Sequence, residues 1–316
     1  MAYPRRLTVH PVAPCFYHVV SRCVRRAFLC GEDPLTGRNF DHRRGWMESR
    51  LIDLSESFAV ALYAWAVMSN HTHVVLRAEP RLPWEWSDRE VARRWVRLRQ
   101  VPSRKGRNRG VEEARVQAIV ADPDRLAVLR ERLGSISWFM RFLNEAIARM
   151  ANAEDDCTGR FWEGRFKCQA LLDEKAVLAC MAYVDLNPIR AGLCDELGDS
   201  AFTTIRRRLR DIGDGRVGQT AQLAPMAGTA SGAGVGVSVR GYLDLLHWTL
   251  ERTGMGKAGR AIMPNVEPLP ESIRGSPSWW LSSVLSIETS YGTAVGGAES
   301  LAAHARATDR QRLRGC

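Results

Sequence analysis

Two histidines one residue apart, His71 and His73 in the run HTHVVLR, have the types and spacing for chemistry. Side chains alternate across a strand, so both imidazoles leave one face while Thr72 and Val74 leave the other. Two imidazoles on one face can share a cation, and a third donor would complete a metal site. Against this stands the plainer reading of two polar strand residues bonded to their neighbours. Further along, Tyr183 and Asn187 are four residues apart and stack on one helix face, in line with Ala176 and Ala179. Val177, Cys180, Met181 and Val184 form a separate apolar stripe, about a quarter turn away at roughly 100° per residue. The Tyr183/Asn187 face is therefore expected to edge an open site, with room beside the alanines for a bulky substrate. Asn187 precedes Pro188 and is biased out of helical geometry, which puts it at the limit of this alignment. A lone tyrosine otherwise reads as a half-buried packing residue with its hydroxyl bonded.

Upstream, Arg160, Arg165 and Lys167 interleave with Phe161, Trp162 and Phe166. Such mixtures grip single-stranded nucleic acid, with cations tracking phosphates and each stacked ring contributing about 1–3 kcal/mol. The alternative is that the rings are core and the charges solvated. In a regular strand Phe161 and Phe166 face opposite ways, so at least one ring is structural. Trp162 and the three cations remain as candidates for contact. His18 reads as structural rather than as a ligand. The basic loop at 104–109 (RKGRNR) reads as solvated, adding contacts only beside bound nucleic acid.

Several elements must position these residues. The β-branched and aromatic runs 16–23 and 58–68 predict strands, and Met47, Leu51, Ile52 and Leu54 predict a helix over 45–57. After the turn pair Ser69-Asn70, 71–77 returns as the second strand of a hairpin. The polar segment at about 79–134 reads as an insertion, and an apolar stripe marks a helix over 137–150. A strand is expected over 161–172, then a helix capped by Asp173 and stopped by Pro188. A hairpin without a regular βαβ repeat points to an α+β fold, an antiparallel sheet with helices packed on it, over 1–210. The Gly/Ala-rich stretch 211–239 reads as a linker, and 240–316 as a small helical unit ending in Arg306, Arg310, Arg312 and Arg314. On this division a chain ending near Gln222 is expected to fold, with every candidate residue retained.

With 45% hydrophobic and 25% charged residues, the composition excludes wholesale disorder. The 45 Lys+Arg against 35 Asp+Glu give a charge of +10, which favours a polyanionic partner. No apolar run approaches the roughly 18 residues of a spanning helix, and the first residues lack a signal-peptide core. A cytoplasmic protein with no membrane partner is expected. The 8 Cys lack C-x-x-C or zinc spacing and read as reduced core residues.

Taken together, MSNHTHVVLR (68–77), GRFWEGRFKCQALL (159–172) and YVDLNPIRAGL (183–193) resemble the REP-associated branch of the HUH single-strand transposases, over roughly residues 14–195. The tyrosine segment with its Asn-Pro is the distinctive part. The resemblance implies a ferredoxin-like HUH fold in which His71 and His73 bind a divalent cation, Tyr183 attacks DNA, and Asn187 completes the metal site. The usual hydrophobic residue between the histidines is Thr72 here, on the opposite face. The 79–134 segment and the C-terminal unit are less typical and bear on DNA specificity. Mg²⁺ or Mn²⁺ is the implied cation, although donor softness alone accommodates Zn²⁺ equally. Single-stranded or hairpin DNA is the implied partner, and a homodimer is left open.

The implied activity is that of a tyrosine transposase, cleaving and rejoining single-stranded DNA near a hairpin through a 5′-phosphotyrosine. A tyrosine hydroxyl, with its pKa near 10, needs a cation polarising the phosphate, which supplies several kcal/mol. The covalent intermediate stores the cleaved bond, so rejoining needs no ATP. Two rivals remain: a domesticated protein that grips hairpins without cutting, and a metal hydrolase using water, for which Tyr183 would be dispensable.

Overall fold

The computed structural model describes residues 4–5, 8–24, 29–33, 37–98, 109–230, 234–256 and 276–310. Strand β1 (Cys15–Arg22) leads to helix α1 (His42–Ser55) and then to the hairpin of β2 (Val60–Val67) and β3 (His71–Ala78). The hairpin closes tightly, with Met68 N donating to His71 O at 2.9 Å. Among the described residues the expected insertion carries three α-helices, α2 (Asp88–Leu98), α3 (Arg109–Val120) and α4 (Pro123–Leu133). Helix α5 (Ile136–Glu154), strand β4 (Lys167–Leu171) and helix α6 (Glu174–Asp185) follow. Asp173 caps α6 as expected, accepting from Ala176 N at 2.8 Å, an interaction worth about 1 kcal/mol.

The strands run in the order β2-β3-β1-β4 and every pairing among them is antiparallel. With α1 and α5 as crossovers, this is the βαββαβ ferredoxin-like arrangement. The fold is therefore α+β, a mostly antiparallel sheet with helices packed on it. On one face Tyr17, Val19, Leu62, Trp65, Val74 and Leu76 meet Met47 and Leu51 of α1 and Phe139 and Leu143 of α5. On the other, Ala61, Tyr63, Val75 and Leu171 meet Val177, Met181 and Val184 of α6.

Three local expectations are revised. Strand β4 is shorter than 161–172, because the chain bends at 163–165 and leaves only an isolated bridge between Cys23 and Trp162. Pro188 does not stop the helical path: α6 breaks at Leu186 and one more turn, α7 (Asn187–Arg190), follows. Pro188 falls in its first turn, where the missing N–H costs no helical bond. The stretch expected as a linker is structured where described. After α8 (Thr204–Gly213), β5 (Gln222–Leu223) pairs with β7 (Val235–Ser238), while β6 (Ala227–Gly228) pairs with β2 in the main sheet.

Among the described residues, the helices expected as a small separate unit are α9 (Val239–Thr253), α10 (Pro277–Ser290) and α11 (Ala298–Ala307), with β8 (Ala294–Val295) pairing parallel to β4. Tyr242, Leu245, Trp280 and Ile287 share the core of α6. The cause lies in α6 itself: it is buried continuously from Ala176 to Asp185, and a helix apolar all round needs cover on both sides. The described cysteines are free thiols, four of them buried. No helix among the described residues is long and apolar enough to cross a membrane. Residues 104–108 of the basic loop, and Arg312 and Arg314 of the tail, lie outside the described residues.

Candidate functional site

Sheet register gathers the site. Across β1 and β3, Arg22 lies opposite His71 and Val20 opposite His73; across β1 and β4, His18 lies opposite Gln169 and Val20 opposite Lys167. Directly opposed residues share a face, so Arg22, His18, His71, His73, Lys167 and Gln169 all project on the side that α6 crosses. Helix α6 then brings Tyr183 over the histidines. The ring centroids of His71 and His73 are 4.7 Å apart, those of His73 and Tyr183 5.4 Å, and those of His18 and Tyr183 5.8 Å.

Burial sets the charge of these groups. His73 is fully buried, and burial, followed by the neighbouring His18 and His71, pushes its pKa well below the usual 6.5. Burial likewise pushes His71 and His18 down to about 4. All three rings are therefore neutral at pH 7 and offer lone pairs. His71 Nδ1 is hydrogen-bonded with Asn70 Oδ1 at 2.6 Å, and His73 Nδ1 with His18 Nε2 at 3.0 Å. His73 Nε2 is buried without a partner.

Tyr183 is only 5% exposed, not at the edge of an open groove, because α10 covers the face expected to be free. Its hydroxyl donates to Glu288 Oε2 at 3.2 Å, and the Arg190 guanidinium stacks 4.1 Å from its ring centroid. Burial raises the Tyr183 pKa and Glu288 adds to this, while Arg190 opposes it. Glu288 is itself held below its ordinary value: burial pushes it up, but the Lys167 ammonium, with Arg22, outweighs that. Lys167 Nζ is 3.1 Å from Glu288 Oε1 and an Arg22 nitrogen is 3.9 Å from the same oxygen.

Asn187, one turn beyond Tyr183, is buried with its Nδ2 unpartnered. No described hydrogen bond joins it to either histidine. Among the described residues no group of three or more His, Cys, Asp or Glu side chains is arranged to hold a metal ion. What the site presents is a histidine pair in which the buried His73 keeps an orphaned nitrogen.

The basic and aromatic cluster divides. Trp162 is 9% exposed and its Nε1 donates to Asn144 O at 2.8 Å, so it is a structural ring and not a base-stacking platform. Phe161 and Phe166 are buried as well. Arg160 and Arg165 are exposed, and Lys167 is exposed while paired with Glu288. Arg22, Gln169, Arg190 and Glu288 carry no motif of their own in the sequence, and His18 reads there as structural. A histidine amid FYHVV, on a strand facing the His-x-His strand, was the one legible signal.

Fold and site together define an α+β protein whose sheet carries a histidine and tyrosine cluster beneath a helix. A solved structure of a REP-associated tyrosine transposase bound to a REP hairpin is similar at 15% identity and a TM-score of 0.39, covering 75% of this chain and 97% of that chain. No protein-family model matches the chain, and no curated protein matches it. A likeness of that degree is distant, and the functional reading stands on the cluster itself.

Proposed function

We propose that the chain is a metal-dependent transposase that cleaves and rejoins single-stranded DNA near a hairpin, in the cytoplasm, through a 5′-phosphotyrosine at Tyr183. The observation that carries this reading is the meeting of Tyr183 with the His-x-His pair, its ring centroid 5.4 Å from that of His73. His71, His73 and the side-chain oxygen of Asn187 would hold Mg²⁺ or Mn²⁺, and the buried, unpartnered His73 Nε2 is an atom that a cation would satisfy. When bound, the cation polarises the scissile phosphate and stabilises its developing charge by several kcal/mol.

The chain's own groups do the rest. Tyr183 Oη attacks phosphorus, the new O–P bond forms as the bond to the 3′-oxygen breaks, and the departing 3′-oxygen takes a proton from solvent water to leave as a 3′-hydroxyl. The hydroxyl proton passes to Glu288, which already accepts its hydrogen bond. Arg190, over the ring, favours the phenolate. Arg160, Arg165 and Lys167 supply cations for the strand, consistent with the net charge of +10.

The test is a 3′-labelled hairpin oligonucleotide incubated with the chain and Mn²⁺, then run on a denaturing gel. A protein–DNA adduct is expected, absent in Tyr183→Phe. His71→Ala and His73→Ala should abolish it while leaving hairpin binding largely intact. An adduct in the Phe variant removes Tyr183 as nucleophile, and cleavage without an adduct points to water. A second reading, a hairpin-binding protein that does not cut, draws on the Glu288 carboxylate engaging both the Tyr183 hydroxyl and Lys167. It predicts binding without an adduct.

A further inference from the structure

His18 is 2% exposed in the middle of β1, stacked on His73 with ring centroids 5.2 Å apart and planes at 17°. A single hydrogen bond, His18 Nε2 to His73 Nδ1 at 3.0 Å, joins the two neutral rings, so one proton lies between them. Which ring carries it decides what His73 Nε2 can do. If His18 donates, His73 bears its proton on Nε2, a buried donor with no acceptor. If His73 donates, its Nε2 is a bare lone pair and the His18 proton sits on Nδ1.

Gln169 breaks the tie. It lies opposite His18 across β1 and β4. Its Nε2 contacts only acceptors, the carbonyl oxygens of Gly292 at 2.9 Å, Ile287 at 3.3 Å and Tyr291 at 3.4 Å. Carbonyls only accept, so the amide cannot be flipped and Oε1 is fixed as the inward end. That oxygen is buried without a hydrogen-bond partner, on the residue that faces His18 across the two strands. A proton on His18 Nδ1 would offer this acceptor a donor; the opposite tautomer removes that donor and orphans one on His73.

We propose that His18 and Gln169 are positioning residues that hold His73 with its proton on Nδ1 and its Nε2 lone pair free for a divalent cation. The inference rests on the metal reading of the proposed function and goes beyond it. It makes the turn after α10, which anchors the Gln169 amide, part of the support of the histidine pair. Metal-bound histidines are oriented in this way by the partner of their second nitrogen, and losing that partner lowers metal affinity about 10–100-fold.

The test uses the full chain labelled with ¹⁵N-histidine, its His73 signals identified by their loss in His73→Ala. Long-range ¹H–¹⁵N spectra without metal should place the His73 proton on Nδ1 in the unaltered chain. In His18→Leu the Nε2-protonated form should grow, and Mn²⁺ binding followed by electron paramagnetic resonance should weaken about 10–100-fold. Gln169→Glu, which keeps an acceptor facing His18, should bind Mn²⁺ more tightly than Gln169→Leu. A His73 proton on Nε2 in the unaltered chain overturns the proposal without recourse to any variant. Unchanged Mn²⁺ affinity in a folded His18→Leu overturns it also. If the unaltered chain binds no Mn²⁺, the metal reading falls, and the spectra still decide separately where the His73 proton lies.

Discussion

At the Tyr183 hydroxyl, opposite charges compete for one proton. Burial and the Glu288 carboxylate keep it on oxygen, while Arg190 above the ring works the other way, and the balance leaves Tyr183 protonated at neutral pH. The same carboxylate neutralises Lys167 and stands near Arg22, two of the cations a DNA phosphate would seek. At an effective dielectric near 20, a like charge about 8 Å from a phosphate costs roughly 2 kcal/mol before screening. Glu288→Gln keeps the shape and removes the charge. Single-strand binding at low salt is therefore expected to tighten by roughly 3–10-fold, with the salt slope steeper by about 0.7 as Lys167 becomes available. Fluorescence anisotropy across a salt series checks both. Unchanged affinity and slope would mean that bound phosphate does not come near this carboxylate.

Helix α6 joins the site to the rest of the fold through a buried carboxylate at its end. Asp185 Oδ2 accepts from the Tyr242 hydroxyl of α9 at 2.7 Å, and Oδ1 accepts from Ile205 N at 3.2 Å. Burial raises the Asp185 pKa to about 6, against the pull of Tyr242 and Arg208. A folded pKa above the unfolded value of 3.8 stabilises the fold below about pH 4, and this contribution is lost as pH rises through about 6. Above that the carboxylate is charged and depends on its donors. Tyr242→Phe should cost about 1.5–3 kcal/mol at pH 8 and less at pH 5, where the carboxyl is mostly protonated, as read by urea denaturation at both pH values. Equal losses would mean that Asp185 does not change charge between them. Elements of this kind were legible in the sequence when their signal was local. Alternation in FYHVVSRC and HTHVVLR, the stripe of α5 and the Asp173 cap each name their element within a few residues. Contacts such as Tyr183 with Glu288, 105 residues apart, leave no period to read. The full burial of α6 was visible in AVLACMAYV, but an apolar helix does not say what covers it.

Across the whole molecule, the Gly/Ala-rich stretch that reads as a linker is a sheet edge. At Gly228, with φ of +125°, a Cβ would collide with the Val60 carbonyl oxygen, so glycine here serves close approach to β2 and not flexibility. Small residues have two physical uses, and composition alone does not separate them. The consequence concerns a chain ending after Gln222, which sequence order expects to fold because Tyr183, His71, His73 and Asn187 all precede it. Such a chain loses β6, β7, β8, α9, α10 and α11, and with them the buried side chains of Tyr242, Leu245, Leu246, Leu250, Trp280, Val284 and Ile287. At about 1.5–3 kcal/mol each, these seven contribute on the order of 10–20 kcal/mol, as large as the roughly 5–15 kcal/mol that holds a typical domain together. The truncated chain is therefore expected to lack a cooperative thermal transition and to bind a hydrophobic dye. Trp280→Ala in the full chain should cost about 3–5 kcal/mol yet still melt cooperatively. A truncated chain that melted within a few degrees of the full one would mean that α9 and α10 are dispensable cover, and that the sheet with α1, α5 and α6 folds alone.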